Sequence, residues 1–376
     1  MFNVSNFISD NITFRKESMF LQDIINNKEQ LSREIKDKSV LVIGGGGTIG
    51  SSFIRALLPF EPKTLVVVDI SENYLTELTR SIRSEDGMFV PEDYRTYPLN
   101  YSDPIFEKIF LKQGGFDIVA NFSAHKHVRS EKDQYSVEAL LENNVLKAKR
   151  LMDLLKANPP KHFFCVSTDK AANPVNIMGC SKKIMEEMVM SYNQCFKITT
   201  ARFANVAFSN GSLLAGFLER IMNKQPLSAP TDVKRYFVSP AESGQICLLA
   251  CILGNTGEIF FPKLGQEQMM TFSSIADKFL DVLGYKPEYC KSETEAKQFA
   301  KNMTENTDTY PVYYFQSDTT GEKGFEEFYI EGEKLNTERF SSLGVIENYP
   351  VRDEKEIRDF FVQLETLFKQ KDFTKA

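Results

Sequence analysis

Histidine is scarce in this chain, occurring only at positions 125, 127 and 162. The six cysteines, Cys165, Cys180, Cys195, Cys247, Cys251 and Cys290, form no C-x-x-C pair. Without ligand clusters at zinc spacing, no metal site is expected. Several cysteines lie in apolar runs, as reduced core thiols do, which argues against a disulfide-stapled fold. No apolar stretch approaches the roughly 20 residues of a membrane span, and no basic-then-apolar leader opens the chain. Net charge is −6 and the pI about 5.4, with no basic block. That leaves no footprint for nucleic acid or an anionic membrane surface. A polyanionic small ligand would have to be held by backbone donors and a few placed cations. The expectation is a soluble, reduced, cytoplasmic protein.

What the chain does have is a globular balance, 42% hydrophobic and 26% charged over 376 residues. Strand-like runs at 39–43, 64–68, 117–121, 162–167 and 198–203 alternate with helical patterns near 50–58, 71–83, 134–157 and 181–193. This rhythm predicts an α/β fold, a parallel, doubly wound sheet with right-handed crossovers. In 181–193, Ile184, Met185, Met188, Val189 and Tyr192 make a helical apolar stripe. After about residue 205 the alternation weakens, broken by Pro226, Pro230, Pro240 and Pro262, with short helices at 241–253 and 271–283. The expected division is therefore a helical extension over 1–36, a dinucleotide-binding domain over 37–205, and 206–376 mainly as a smaller substrate-binding lobe and C-terminal extension. The first segment should pack on the outside of the domain or in an oligomer contact. The Lys/Glu-rich tail after Asp353 reads as a solvated amphipathic helix.

Gly44-Gly45-Gly46-Gly47-Thr48-Ile49-Gly50 follows the first strand directly. Gly44, Gly47 and Gly50 have G-x-x-G-x-x-G spacing, which lets backbone approach a pyrophosphate at the N-terminus of the next helix, where Thr48 and Ile49 lie. Asp69 ends the second strand about 20 residues on, where a carboxylate binds an adenosine ribose and repels a 2′-phosphate. A helix cap is the plainer role for Asp69, although Ser71 would serve as well. In this Rossmann-type arrangement Asn100 would contact adenine. Ser123 and Ala124, after the strand ending at Asn121, would line the nicotinamide side, with Lys126 and His127 toward the substrate. His125 and His127 read as loop caps before catalytic groups, and Asn144 as a buried polar bridge. Ser167-Thr168-Asp169-Lys170 ends another buried strand, and Met178-Gly179-Cys180-Ser181-Lys182 opens the helix after it. A polar turn there is ordinary; the partnering Lys182, which would hold the nicotinamide ribose and lower the pKa of nearby acids, makes it a candidate site.

Lys182 closes a step that in the short-chain dehydrogenase/reductase superfamily begins with tyrosine, Y-x-x-x-K; here that place is Met178, which cannot exchange a proton. The run F-C-V-S-T-D-K-A-A-N-P-V-N-I-M-G-C-S-K, with S-A-H-K-H-V-R-S-E-K-D upstream, resembles the nucleotide-sugar 4,6-dehydratases of bacterial polysaccharide biosynthesis. Arg202-Phe203-Ala204-Asn205-Val206, Ser209-Asn210-Gly211-Ser212 and Lys234-Arg235-Tyr236-Phe237 extend the likeness over about residues 38–255. Ala204 departs from a common glycine, and the terminal extensions lie outside these motifs. The resemblance implies a tightly held NAD, a UDP- or GDP-linked N-acetylglucosamine substrate and a homo-oligomer, dimer or larger. It implies Lys170 as the C5 base, Asp169 as the acid for the leaving 6-hydroxyl and Thr168 as the group orienting the C4 oxygen. The C4 hydroxyl proton would go to Asp169 or a water relay. Asn205, Ser209 and Arg235 would contact sugar or diphosphate. A 4-epimerase, a C5-inverting dehydratase and a non-catalytic dinucleotide-binding protein are the competing readings.

Overall fold

The apolar runs beginning near Ser39, Thr64, Ile118, His162 and Ile198 are strands of one sheet in a computed structural model that describes residues 2–127, 133–317, 323–347 and 349–370. In chain order its strands are β1 Ser39–Ile43, β2 Thr64–Asp69, β3 Asp93–Pro98, β4 Ile118–Asn121, β5 His162–Val166, β6 Ile198–Ala201, β7 Glu258–Pro262, β8 Lys334–Asn336 and β9 Leu343–Glu347. Their spatial order is β8-β9-β7-β6-β5-β4-β1-β2-β3. All pairings from β3 to β7 are parallel, while β9 runs antiparallel to both β7 and β8. Every residue of β5 is buried, as are nearly all of β1 and β2, so these strands read as continuous Val, Ile, Leu and Phe rather than alternating. The order reverses at β1 and β4, and in such sheets the ligand crevice opens at the C-terminal ends of that pair.

Strands β1, β2, β4, β5 and β6 fall where the sequence predicts them. β3 does not stand out because it is the polar edge strand Asp93–Pro98, whose residues are half-exposed or exposed. The expected helix over 134–157 is present but contains a π turn at Glu142–Leu146. The chain divides into two compact units. One comprises Met1–Met19, Ala204–Glu242 and Leu264–Glu326; the other comprises Phe20–Phe203, Ser243–Lys263 and Glu327–Ala376. One crossing between the units falls at Phe203 and Ala204, by the boundary expected near 205, and the chain crosses again after Glu242, Lys263 and Glu326. Residues from 243 to 263 supply helix and β7, and residues after 327 supply β8 and β9, all in the sheet unit. Gly244 shows why this helix returns: a Cβ there would lie 2.2 Å from the Ser52 backbone.

The N-terminal segment also differs from an outer extension. Phe7, Ile8 and Ile12 belong to the core of the smaller unit, with Phe217, Leu227, Phe279 and Val312. Arg15 adds a bidentate bond to the buried Glu242, Nε and Nη2 each 2.7 Å from a carboxylate oxygen. Residues past 19 instead join the sheet unit, where Asp23 accepts from Ser341 N at 2.6 Å and Ser342 N at 2.9 Å. The smaller unit carries a three-stranded parallel sheet, Lys286–Tyr289, Thr309–Phe315 and Leu227–Pro230, packed with helices Leu213–Met222 and Phe272–Val282. Because Phe7 is 2% exposed, Phe7→Ala should lower unfolding free energy by about 3–5 kcal/mol. Chemical denaturation will measure this; a loss under about 1 kcal/mol would show the segment to be a surface attachment.

Candidate active site

After β1 the chain turns through Gly44, whose φ is +73° and whose amide donates to Val68 O at 2.7 Å. A Cβ on Gly44 would lie 2.8 Å from Ser123 N, and one on Gly50 only 2.3 Å from Gly44 O. These two positions let the turn contact both the segment after β4 and the helix Thr48–Leu57. At Gly47 an added Cβ meets nothing nearer than Gly44 O at 3.5 Å, so the protein itself does not require glycine there. Gly46, by contrast, is crowded: a Cβ there would lie 2.7 Å from Tyr74 Cβ. Its amide donates to Asp69 Oδ2 at 3.0 Å, while Asp69 Oδ1 accepts from Ser71 N at 2.9 Å. Ser71, not Asp69, is the cap of helix Glu72–Ser84. Two backbone amides thus fix the Asp69 carboxylate at the end of β2, with lone pairs remaining for ribose hydroxyls. No side chain caps helix Thr48–Leu57, so its positive end can serve an anion beside the glycine turn. The residues fit a dinucleotide pyrophosphate and ribose.

Asn100 Oδ1 accepts from Ser102 N and Oγ, closing a turn, so a base contact from this residue would use Nδ2. Ser123 donates its amide to Asn121 Oδ1 at 3.0 Å. Ala124 follows, and His125, Lys126 and His127 are exposed. The upstream motif's remaining positions, 128–132, lie outside the described residues. Asn144, in the π turn, is a bridge: Oδ1 accepts from His125 N at 2.8 Å, and Nδ2 donates to His125 O and Ser181 Oγ at 2.9 and 3.0 Å. It ties the segment after β4 to the helix that carries Lys182.

Beyond β5 the chain makes a short 3-10 turn, Asp169–Ala171. Asp169 is 2% exposed, and its Oδ1 gathers three donors: Thr168 Oγ1 at 2.7 Å, Lys170 N at 2.9 Å and Lys170 Nζ at 3.1 Å. Next comes helix Ile177–Met190, capped by Asn176, whose side chain accepts from Gly179 N at 2.8 Å. A Cβ on Gly179 would sit 2.8 Å from Lys170 O, and its bareness brings the turn onto the helix. Met178 is buried in the first helical turn. Four residues on, Lys182 donates to Val166 O at 2.8 Å, at the C-terminal end of β5. Burial lowers the Lys182 pKa, with Cys165 and Glu186 partly opposing it. Burial also pushes the neighbouring Cys165 thiol up to about 11, too high for a reactive thiolate at neutral pH.

Thr168, Asp169, Lys170, Met178 and Lys182 thus lie in the same unit as the glycine turn and Asp69, whereas Asn205, Ser209 and Arg235 belong to the smaller unit. Arg235 differs from an open phosphate ligand. It is 3% exposed, Nη1 donates to Lys234 O and Lys323 O at 2.9 Å each, and Nη2 lies 3.8 Å from Glu326. Its guanidinium is engaged with its own unit. Sequence reasoning also missed Glu186, although Met178, Lys182 and Glu186 follow one another at helical i, i+4 spacing. Among the described residues, no carboxylate, histidine or cysteine cluster could hold a metal ion, and no helix is long and apolar enough to cross a membrane.

A family described as polysaccharide biosynthesis protein matches residues 40–348, and the chain belongs to it. The chain is 30% identical over 353 residues to the uncharacterized membrane protein MJ1061 of Methanocaldococcus jannaschii, covering 92% of this chain and 96% of that one. It is 28% identical to the capsular polysaccharide biosynthesis protein CapD of Staphylococcus aureus, covering 63% of this chain but only 39% of that longer protein. Identity to the UDP-N-acetylglucosamine 4,6-dehydratase (inverting) of Campylobacter jejuni is 25%, over 60% of this chain and 67% of that protein. Among solved structures, the dTDP-glucose 4,6-dehydratase DesIV of Streptomyces venezuelae, with NAD bound, matches with TM-score 0.55 and 17% identity over 76% of this chain and 91% of that one. The UDP-N-acetylglucosamine 4-epimerase of Methanobrevibacter ruminantium matches with TM-score 0.59 and 18% identity over 88% of this chain and all of that one (100%). At these identities the two structures show a shared fold.

The glycine contacts give a paired test. Gly50→Ala should lose the dinucleotide that co-purifies with the wild type, read by chromatography of the denatured supernatant. Gly47→Ala should fold normally, shifting Tm by less than about 4 °C. Equal tolerance of both substitutions would contradict the packing described here.

Proposed function

We propose that this chain is an enzyme that removes water from a nucleotide-linked N-acetylhexosamine, UDP- or GDP-N-acetylglucosamine, giving the 4-keto-6-deoxy sugar for surface-glycan biosynthesis. The observation that carries this reading is the convergence of Thr168 Oγ1 and Lys170 Nζ on one oxygen of the buried Asp169, beside a helix whose usual tyrosine place is Met178. NAD is the cofactor this reading requires; when bound it accepts one hydride and later returns it. Asp69, fixed by two amides, favours NAD over NADP because a 2′-phosphate would meet its charge.

The chain's own residues then divide the proton work. Once C4 is a ketone, the C5 proton is acidic and a base is needed for it, with an acid for the 6-hydroxyl. An Asp169 carboxylate paired with a Lys170 ammonium becomes a carboxylic acid and a free amine when one proton moves along their 3.1 Å contact. Lys170 then takes the C5 proton, Asp169 protonates the departing 6-hydroxyl, and C5 regains a proton as C6 is reduced, from Lys170 where the configuration is retained and from the opposite face where it is inverted. The proton surrendered earlier by the C4 hydroxyl leaves through Thr168 to water, and an equivalent proton from water restores Asp169 at the end of the cycle. Lys182, anchored on Val166 O, holds the nicotinamide ribose. Asn205 and Ser209 are the candidates in the smaller unit for the sugar nucleotide. The Campylobacter relative's inverting character makes C5 inversion the specific variant to examine.

Incubation with UDP- and GDP-N-acetylglucosamine, with products identified by mass spectrometry and NMR, tests the reading. Loss of one water supports dehydration, and the C5 coupling constants report inversion or retention. An unchanged mass with altered C4 configuration means epimerisation, and no turnover favours a binding protein. Lys170→Ala should abolish product and solvent-deuterium incorporation at C5 while NAD stays bound; normal incorporation would assign the base elsewhere.

Met178 is a replacement rather than a participant in this scheme. Met178→Leu keeps volume and apolarity, so it should cost under about 1.5 kcal/mol of stability and change turnover less than about tenfold. Loss of activity with fold and cofactor intact would place the thioether in the chemistry.

A further inference from the structure

Arg202, just beyond β6, is the largest fully buried side chain among the described residues. A guanidinium without water must be met by carboxylates and hydrogen bonds. Glu186, equally buried, accepts Arg202 Nε on Oε1 at 3.0 Å and Nη2 on Oε2 at 2.8 Å. On the other side Glu333 receives Nη1 at 3.1 and 3.2 Å, and Phe328 O accepts from the same nitrogen at 3.2 Å. Burial alone would lower the Arg202 pKa; the two carboxylates more than reverse it, and the group stays charged.

The Glu186 oxygen that takes Arg202 Nε also accepts from Ser167 Oγ, at 2.5 Å. Ser167 is the residue before Thr168. A continuous series of charge-assisted bonds therefore runs from Glu333 through Arg202 and Glu186 to the threshold of the turn that holds Asp169 and Lys170. Within the turn, backbone bonds run from Ala171 N to Thr168 O and from Ala172 N to Asp169 O, each 3.1 Å, beside the three donors on Asp169 Oδ1. A second strap joins the same segments: Lys183 Nζ donates to Tyr349 OH at 2.6 Å, and Arg202 lies 5.9 Å from the Tyr349 ring centre.

We propose that Glu333, Arg202 and Glu186 act through Ser167 to set the orientation of the Thr168–Asp169–Lys170 turn, so that the segment after residue 327 controls catalysis without touching substrate. A filler role would be served as well by apolar side chains of the same volume, which commonly match or exceed a buried ion pair in stability. What apolar side chains would not supply is a directed bond to Ser167 Oγ. These four are positioning residues, and the inference rests on the reading of that turn as the acid/base group.

Arg202 variants risk misfolding, so the test uses Ser167→Ala, Ser167→Thr and Glu333→Gln. The probe is UDP-N-acetylglucosamine, with backbone deuterium exchange of peptides covering 163–173 and 327–349 measured in parallel. In Ser167→Ala, kcat should fall about tenfold or more, with KM within about twofold and NAD retained. Ser167→Thr, which restores the hydroxyl, should recover most of the loss, and Glu333→Gln should lower kcat and displace its pH profile. Both Ser167→Ala and Glu333→Gln should speed exchange at 168–172. Where the wild type turns the probe over, kcat decides: unchanged kcat in Ser167→Ala and Glu333→Gln overturns the proposal. Where it does not, the function proposed above fails and exchange alone decides. Faster exchange at 168–172 in both variants then sustains the relay, and anything less, including a change confined to 327–349, overturns it.

Discussion

A guanidinium buried beyond the reach of water dictates much of what surrounds it. Arg202 stands just past the end of β6, and its fork is satisfied by Glu186 on the helix after β5 and by Glu333 on the segment leading into β8. Removing both acids would leave an uncompensated charge in the interior, and removing either one would strip part of the guanidinium fork of its acceptors. The demand gives a physical reason for residues after 327 to come back to the sheet unit and pair there as β8 and β9. It also holds two elements, β5 with its turn and helix Ile177–Met190, to a third.

Helix Ile177–Met190 concentrates the site because its residues repeat at i, i+4. Met178, Lys182 and Glu186 occupy successive turns of one face. The first fills the place where a tyrosine base would stand, the second is fixed on Val166 O, and the third receives both Ser167 and Arg202. Gly179 lets the turn bearing Asp169 close on this helix, and Asn144 ties the segment after β4 to Ser181. Beside this helix, Thr168, Asp169 and Lys170 touch one another directly.

The cofactor end relies on a different constraint, the closeness of backbone to backbone. Gly44 and Gly50 are places where even a methyl group would collide with main chain, so the turn, the segment after β4 and the helix can lie against one another. Asp69 is joined to the same turn through Gly46 N. Membership of the polysaccharide biosynthesis family accords with this frame.

By itself the sequence determined the parallel core, because fully buried strands such as Leu41–Ile43 and Phe163–Val166 read as unbroken apolar runs. It determined the glycine turn and Asp69, whose spacing is local, and the contiguous Thr168–Asp169–Lys170 group. Tertiary structure alone decided what depends on residues distant in the chain. The polar edge strand β3 takes its conformation from pairing with β2, not from its own pattern. Phe7 and Ile12 enter the core of a unit formed by residues some 200 positions away. Arg235 looks like a phosphate ligand in sequence, yet its donors are engaged by Lys234 O and Lys323 O. Glu333 finds Arg202 across 131 residues. Local spacing encodes helices, turns and strand ends; the partner of a buried charge is chosen only when the chain has closed around it.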